Sequence, residues 1–211
     1  MELFECIQSR HSIRKYEKKD VPNEMLGKMI YAGTQAPSAG NMQPWEFIVV
    51  KNEEIKEELA DAALKQVHVE KAPALIVICA NLEKSADRYG ERGKTLYSIQ
   101  DTSSAIQNML LVANDLGLGT CWVGAFNEER VKNILNIPEN LRPVSIITIG
   151  FPIPYEKPPK KSRLSFEKIT WAERYGKHFA WFEQHGGDWL LKIKPLEEHV
   201  KKLKEKISRK D

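Results

Sequence analysis

At 211 residues, with 42% hydrophobic and 29% charged side chains, the chain has the composition of an ordinary folded domain, which excludes disordered, collagenous and membrane-embedded classes. Its formal charge of +3 is too small for the broad basic surface of a nucleic-acid binder, and its lysines and arginines fall in local clusters. Cys6, Cys79 and Cys121 stand far apart without a C-x-x-C spacing, which reads as buried free thiols in a reducing compartment.

The opening MELFECIQSR lacks the apolar stretch of a secretory signal, and no apolar run approaches the ~20 residues of a membrane helix, so a cytoplasmic protein is expected. Residues 2–9 read as a short helix. RHSIRKY, residues 10–16, alternates polar and apolar positions and reads as extended. Asp20 is the expected cap of a second helix, with Pro22 in its first turn and Met25, Leu26, Met29, Ile30 and Gly33 on one face. That helix ends near Pro37. PSAGNMQPW, residues 37–45, then carries more polar side chains than a connection needs.

WEFIVV at 45–50 and ALIVICA at 74–80 are expected as two buried strands flanking the helix of EEIKEELADAALK. Residues 81–95 are polar and irregular, the expected place for a mobile loop over a site. The strongest helical pattern covers 98–116, where Ala105, Ile106, Met109, Leu110, Val112, Ala113 and Leu116 occupy so much of the circumference that burial on two sides is expected. Gly117 and Gly119 are read as helix stops, CWVGAF as a short strand, Asn127 as the cap of a helix through Leu135, and VSIITIG as a further strand. After the proline-rich PIPYEKPPKKSR, a last helix shows Leu196, Val200, Leu203 and Ile207 on one face behind Pro195. The expected organisation is a domain over 1–186 and a helical extension, 187–211, packing on that domain or on a partner subunit.

Several familiar patterns fail. GERGKT at 90–95 has Arg88 where a phosphate-binding P-loop needs its first glycine, and GLGT at 117–120 closes a helix instead of opening one. His68, His178, His185 and His199 have no zinc-like spacing, and no G-x-S-x-G elbow exists.

Arg10, Ser12 and Arg14 survive this sorting. In an extended chain their alternate positions share one face, forming either a phosphate clamp or a solvated basic strand. Lys160, Lys161, Ser162 and Arg163 repeat that chemistry late in the chain, again as a second anion cluster or as a solvated loop.

RHSIRKY, PSAGNMQPWEFIVV, GLGTCWVGAF, IPENLRPVSIITIGFP and KKSR together, in this order and spacing, resemble the nitroreductase family, with a likeness that extends to about Tyr175. The resemblance implies an α+β fold with a mainly antiparallel central sheet wrapped by helices. It also implies an intertwined homodimer holding FMN at its interface, with the second apolar face of the 98–116 helix packed in the dimer. By position, Arg10, His11, Ser12 and Arg14 correspond to the first FMN segment, and Lys161 and Arg163 to its closing phosphate contacts.

Pro37, Ser38 and Ala39 correspond to the segment that the partner subunit lays along the flavin. Asn41 and Gln43 support that loop, Trp45 anchors it, and for Asn41 both a direct contact and a purely local role remain open. Trp122, Val123 and Gly124 correspond to the stretch beside the isoalloxazine ring, where a glycine permits close approach or merely suits a strand end.

The implied activity is hydride transfer from NADH or NADPH to flavin N5 and on to nitroaromatic, quinone or similar flat acceptors by a ping-pong mechanism. No protein nucleophile or general base is required. A same-fold specialist, such as a reductive dehalogenase or a flavin-degrading enzyme, and a non-enzymatic flavin-binding sensor are the alternatives.

Overall fold

The eight residues ALIVICAN carry no charge, and a strand of that kind is stable only with neighbours on both edges and cover on both faces. The computed structural model, which describes residues 1–153 and 163–180, puts them there. Strands β1 (Trp45–Val50), β2 (Ala74–Asn81), β3 (Gly119–Val123) and β4 (Leu141–Gly150) form an antiparallel sheet in the order β1-β2-β4-β3. β2 is interior and buried along all but its last residue. The chain divides into two compact units, Met1–Tyr155, which contains this sheet, and Glu156–Asp211.

Successive strand residues point to opposite faces, and the core divides accordingly into two layers. Leu75, Val77 and Cys79 pack with Cys121, Val123 and Ile146 on one face, over α3 (Glu53–Ala62), α4 (Val67–Glu70) and α7 (Glu128–Leu135). Ala74, Ile76 and Ile78 pack with Ile147 and Ile149 on the other, under α2 (Asn23–Thr34) and α6 (Ser98–Asp115). The fold is therefore an antiparallel sheet wrapped by helices, as the family resemblance implies. All three cysteines are buried free thiols, and burial pushes the Cys79 thiol up to about 12, far from reactivity.

Local rules account for most boundaries. Asn52 and Asn127 cap α3 and α7, their side chains accepting from Ile55 N at 2.9 Å and Arg130 N at 2.9 Å. Gly117, at φ +75°, turns the chain out of α6.

Four expectations are corrected. Residues 81–95 form a capped helix, α5 (Leu82–Arg92), leading into a π-helical turn over Gly93–Tyr97. Asn81 supplies the cap by accepting from Lys84 N at 3.1 Å, and the polar composition is that of a helix lying on a loop instead of on the core. Asp20 caps nothing: it pairs with Lys51 at 2.9 Å, while Pro22 is itself the residue preceding α2. Gly119 is no helix stop but the first residue of β3, where an added Cβ would meet Ile13 Cγ2 at 2.7 Å. β1 is an edge strand buried only at its ends. The expected burial of α6 on two sides is met inside the subunit, by the sheet and by α2, while α1 (Leu3–Ser9) presents an exposed apolar face, with Leu3 at 64% and Phe4 at 56% exposure.

In the second unit, the described residues form a short turn over Phe166–Ile169 and a small aromatic group in which the Trp171 ring lies 5.1 Å from Tyr175 and 4.9 Å from His178. Lys161 and the helix expected at 187–211 lie outside the described residues.

Candidate active site

The segment from Arg10 to Tyr16 is extended because it is tied to the sheet edge. Ile13 N donates to Thr120 O at 2.8 Å, Ser12 bridges Thr120, and Tyr16 bridges Pro152. Ile13 and Tyr16 turn into the core, while Ser12 and Arg14 face outward. Tyr16 fixes the end of the segment: its hydroxyl reaches Ile13 O at 2.5 Å and Thr148 Oγ1 at 2.6 Å. Gly119 permits the contact, since any side chain there would collide with Ile13.

The outcome is a cationic strip along β3. The Cys121 thiol registers it: burial pushes its pKa up, against the charge of Arg14, hydrogen bonding from Ser12 and Arg14, and the more distant charge of Arg10. Arg10 and His11 also line a cavity of about 130 Å³ with Asn114, Gly117, Thr120 and Pro152, and His11 Nδ1 lies 2.9 Å from Ser9 O. His68, from α4, is brought under the same field. Its pKa is lowered, first by burial and then by the Arg14 charge, and its Nε2 is buried with no hydrogen-bond partner among the described residues. Read from spacing alone, this histidine carried no signal.

β3 leads from this strip directly into Trp122, Val123 and Gly124. Trp122 is 39% exposed and faces outward, whereas the Val123 side chain lies in the core, leaving its backbone for any contact. Gly124 is exposed, its φ is ordinary, and a Cβ added to it would meet nothing within 4 Å. The turn therefore does not require a glycine. An open stretch of backbone beside a cationic strip is what a flat anionic cofactor needs.

Ser38–Gln43 is built differently. Three of its residues have positive φ, Gly40 at 54°, Asn41 at 60° and Gln43 at 49°. Such backbone persists where surrounding groups hold it. Internally, Gln43 N donates to Ser38 Oγ at 3.0 Å and Gln43 Nε2 to Asn41 Oδ1 at 3.1 Å. From α5, Arg88 donates to Gly40 O at 3.2 Å and Lys84 to Gln43 O at 3.1 Å. From α6, Asp101 accepts from Ala39 N at 3.0 Å. Trp45, 7% exposed, anchors the end of the segment against Ala36 and Ala105. Pro37, Asn41 and Gln43 are exposed, while Ser38 and Ala39 are half-buried.

Within one subunit the two regions do not meet. Arg10–Arg14 pairs along the outer side of β3, and Ser38–Gln43 enters β1 at the opposite edge, four strand spacings or roughly 19 Å away. Arg163, exposed, belongs to the second compact unit. Among the described residues no group of three His, Cys, Asp or Glu side chains suits a metal ion, and no helix is long and apolar enough to cross a membrane.

The family model for nitroreductases matches residues 7–75 and 64–151. A protein of Methanothermobacter thermautotrophicus, provisionally named NADH dehydrogenase/NAD(P)H nitroreductase, is 39% identical over 158 residues, covering 72% of this chain and 78% of its own. A Thermus thermophilus protein named NADH dehydrogenase is 28% identical over 188 residues, covering 76% of this chain and 91% of its own. Among solved structures, an FMN-dependent nitroreductase of Clostridium difficile superposes with a TM-score of 0.70 at 29% identity, covering 82% of this chain and 100% of its own. With the matched segments spanning both edges of the sheet, this chain belongs to the nitroreductase family.

Proposed function

We propose that the protein is an FMN-dependent NAD(P)H oxidoreductase that works as a homodimer. The observation that carries this reading is the strip Arg10, Ser12, Arg14, held along β3 so that it leads to the open backbone of Gly124. The names of the relatives, a NADH dehydrogenase and an FMN-dependent nitroreductase among them, support the same chemistry. The residues present fit FMN: cations and a hydroxyl for a phosphate, then an unobstructed glycine where a planar ring would lie.

Bound FMN would supply the redox chemistry, its N5 accepting hydride from NADH or NADPH for delivery to a nitroaromatic, quinone or similar flat acceptor in ping-pong order. Arg10, His11 and Ser12 would hold the phosphate and ribityl chain, and the family resemblance adds Lys161 and Arg163 as phosphate contacts. Arg14 stands by the pyrimidine edge, where a fixed cation offsets the negative charge that reduction brings. Trp122 and the backbone of Val123 and Gly124 flank the ring. Pro37, Ser38 and Ala39 come from the second copy, with Asn41 and Gln43 supporting them, which fits the separation of the two regions within one subunit. No side chain acts as nucleophile or general base. The free thiols suit a reducing cytoplasm.

The test is an absorbance spectrum of the purified protein, followed by anaerobic addition of NADH and then NADPH. Flavin bands bleached by either nucleotide are expected. A protein that takes up no FMN on reconstitution overturns the reading, and one whose flavin neither nucleotide reduces overturns the hydride donor.

A further inference from the structure

Asp101 is a costly residue where it stands. It lies in the first turn of α6, 6% exposed, and burial pushes its pKa up, only partly offset by the hydrogen bond from Ala39 N. One oxygen, Oδ1, accepts from that amide at 3.0 Å, while Oδ2 is buried with no hydrogen-bond partner among the described residues. An isolated buried carboxylate is a poor stabilising element, so the use of the Ala39 contact must be sought in what Ala39 belongs to.

That is the segment with three positive-φ residues in four. The contact sits at its entrance and is passed on through the peptide: Ala39 N donates to Asp101, and the carbonyl of the same peptide group, Ser38 O, accepts from Asn41 N at 3.0 Å. A carboxylate on one end of a peptide group strengthens the acceptor at the other, so the first bond tightens the turn that follows. Arg88 and Tyr89 close the far side, where an added Cβ at Gly40 would fall 2.3 Å from the Tyr89 hydroxyl.

We propose that Asp101 is a positioning residue for the cofactor: by gripping the Ala39 amide it holds Ser38–Gln43 preformed in the strained shape that meets the flavin bound by the second copy. The inference rests on reading Pro37–Ala39 as a flavin contact. Its consequence is that affinity for FMN depends on a side chain that does not touch FMN, and that the loop is ordered before the cofactor arrives.

The experiment compares FMN affinity, by quenching of flavin fluorescence, and thermal unfolding of the FMN-free full-length protein, for the wild type, Asp101→Asn and Asp101→Ala. Asp101→Asn keeps an acceptor for Ala39 N and is expected to hold FMN within about threefold of the wild type, whereas Asp101→Ala weakens it about tenfold, the effect of one lost hydrogen bond. An alanine variant that unfolds earlier yet binds FMN like the wild type makes the residue merely structural and overturns the proposal. Amide hydrogen exchange on the wild type decides the matter even if the alanine variant fails to fold: Ala39 N–H is expected to be protected without FMN, and rapid exchange there overturns the preformed loop. A wild type that binds no FMN counts against the flavin reading itself, which separates the two failures.

Discussion

Two stretches of this chain face the same ligand in the proposed reading and are held by opposite means. Arg10–Arg14 is fixed through its backbone, paired along β3 with Ile13 and Tyr16 turned inward, which leaves Ser12 and Arg14 facing outward and available to a ligand. Ser38–Gln43 is fixed through other residues' side chains, Asp101, Arg88 and Lys84, each of which holds a backbone amide or carbonyl. In the first region function resides in side chains on a regular frame. In the second it resides in the backbone shape itself. Substitutions should therefore act on charge in one region and on conformation in the other.

The largest expected effect tests the charged region. On the proposed assignment, replacing Arg10 and Arg163 together by alanine would remove two charge-assisted phosphate contacts, each worth ~1.5–3 kcal/mol, so FMN affinity is expected to fall about a hundredfold to ten-thousandfold. The apoprotein should remain folded, because neither side chain is buried in the core. Fluorescence titration checks the affinity and circular dichroism the fold. Unchanged flavin occupancy would show that the phosphate lies elsewhere.

Two glycines sharpen the contrast. Gly119→Ala drives a Cβ to 2.8 Å from Ile13 Cβ, which forces the Arg10–Arg14 segment off β3. Overpacking of this kind costs ~1–3 kcal/mol, visible as a lower urea midpoint together with weaker FMN binding. Gly40→Ala acts on the other region, where φ is +54° and Tyr89 blocks the new methyl. The left-handed backbone alone costs ~1–2 kcal/mol. Its signature is a loss of FMN affinity that Asp101→Ala does not add to fully, because both release the same loop. Simple additivity of the two in a double mutant would show that Gly40 and Asp101 hold independent structures.

The legibility of these regions in the sequence follows the same division. Regular elements with one apolar pattern were readable, as β2 and α6 were from ALIVICA and from residues 98–116, and so was the cap Asn127, which depends only on a neighbour three residues away. The alternation of Arg10, Ser12 and Arg14 was readable because a strand's period of two is local. Asp101, Arg88 and Lys84 were not, since their partners lie 41 to 62 residues away and only the fold brings them together. Residues 81–95 misled for a related reason. The apolar stripe of α5, Leu82, Ala86 and Tyr89, is short and set among charged residues, which left it unrecognised, and its cap, Asn81, is the other local sign.

The smallest expected effect concerns acid. His68 has a folded-state pKa below its unfolded value, because burial and then the Arg14 charge disfavour the imidazolium. A depressed pKa contributes stability that is present above the unfolded value, about 6.5, and lost as pH falls through the folded one. Asp101 has the opposite sign: its raised pKa gives stability that is present below the ordinary carboxylate value and lost as pH rises through the folded one. Urea midpoints measured from pH 8 down to pH 5 should therefore decline more in the wild type than in His68→Gln, and the difference between the two should vanish at the alkaline end. The same pair of proteins compared with FMN bound sharpens the regional contrast. A phosphate held at Arg10 and Ser12, beside Arg14, offsets part of the positive field that the strip exerts on His68, raises the His68 pKa and makes the acid decline smaller; a decline indifferent to FMN would place the phosphate away from the strip.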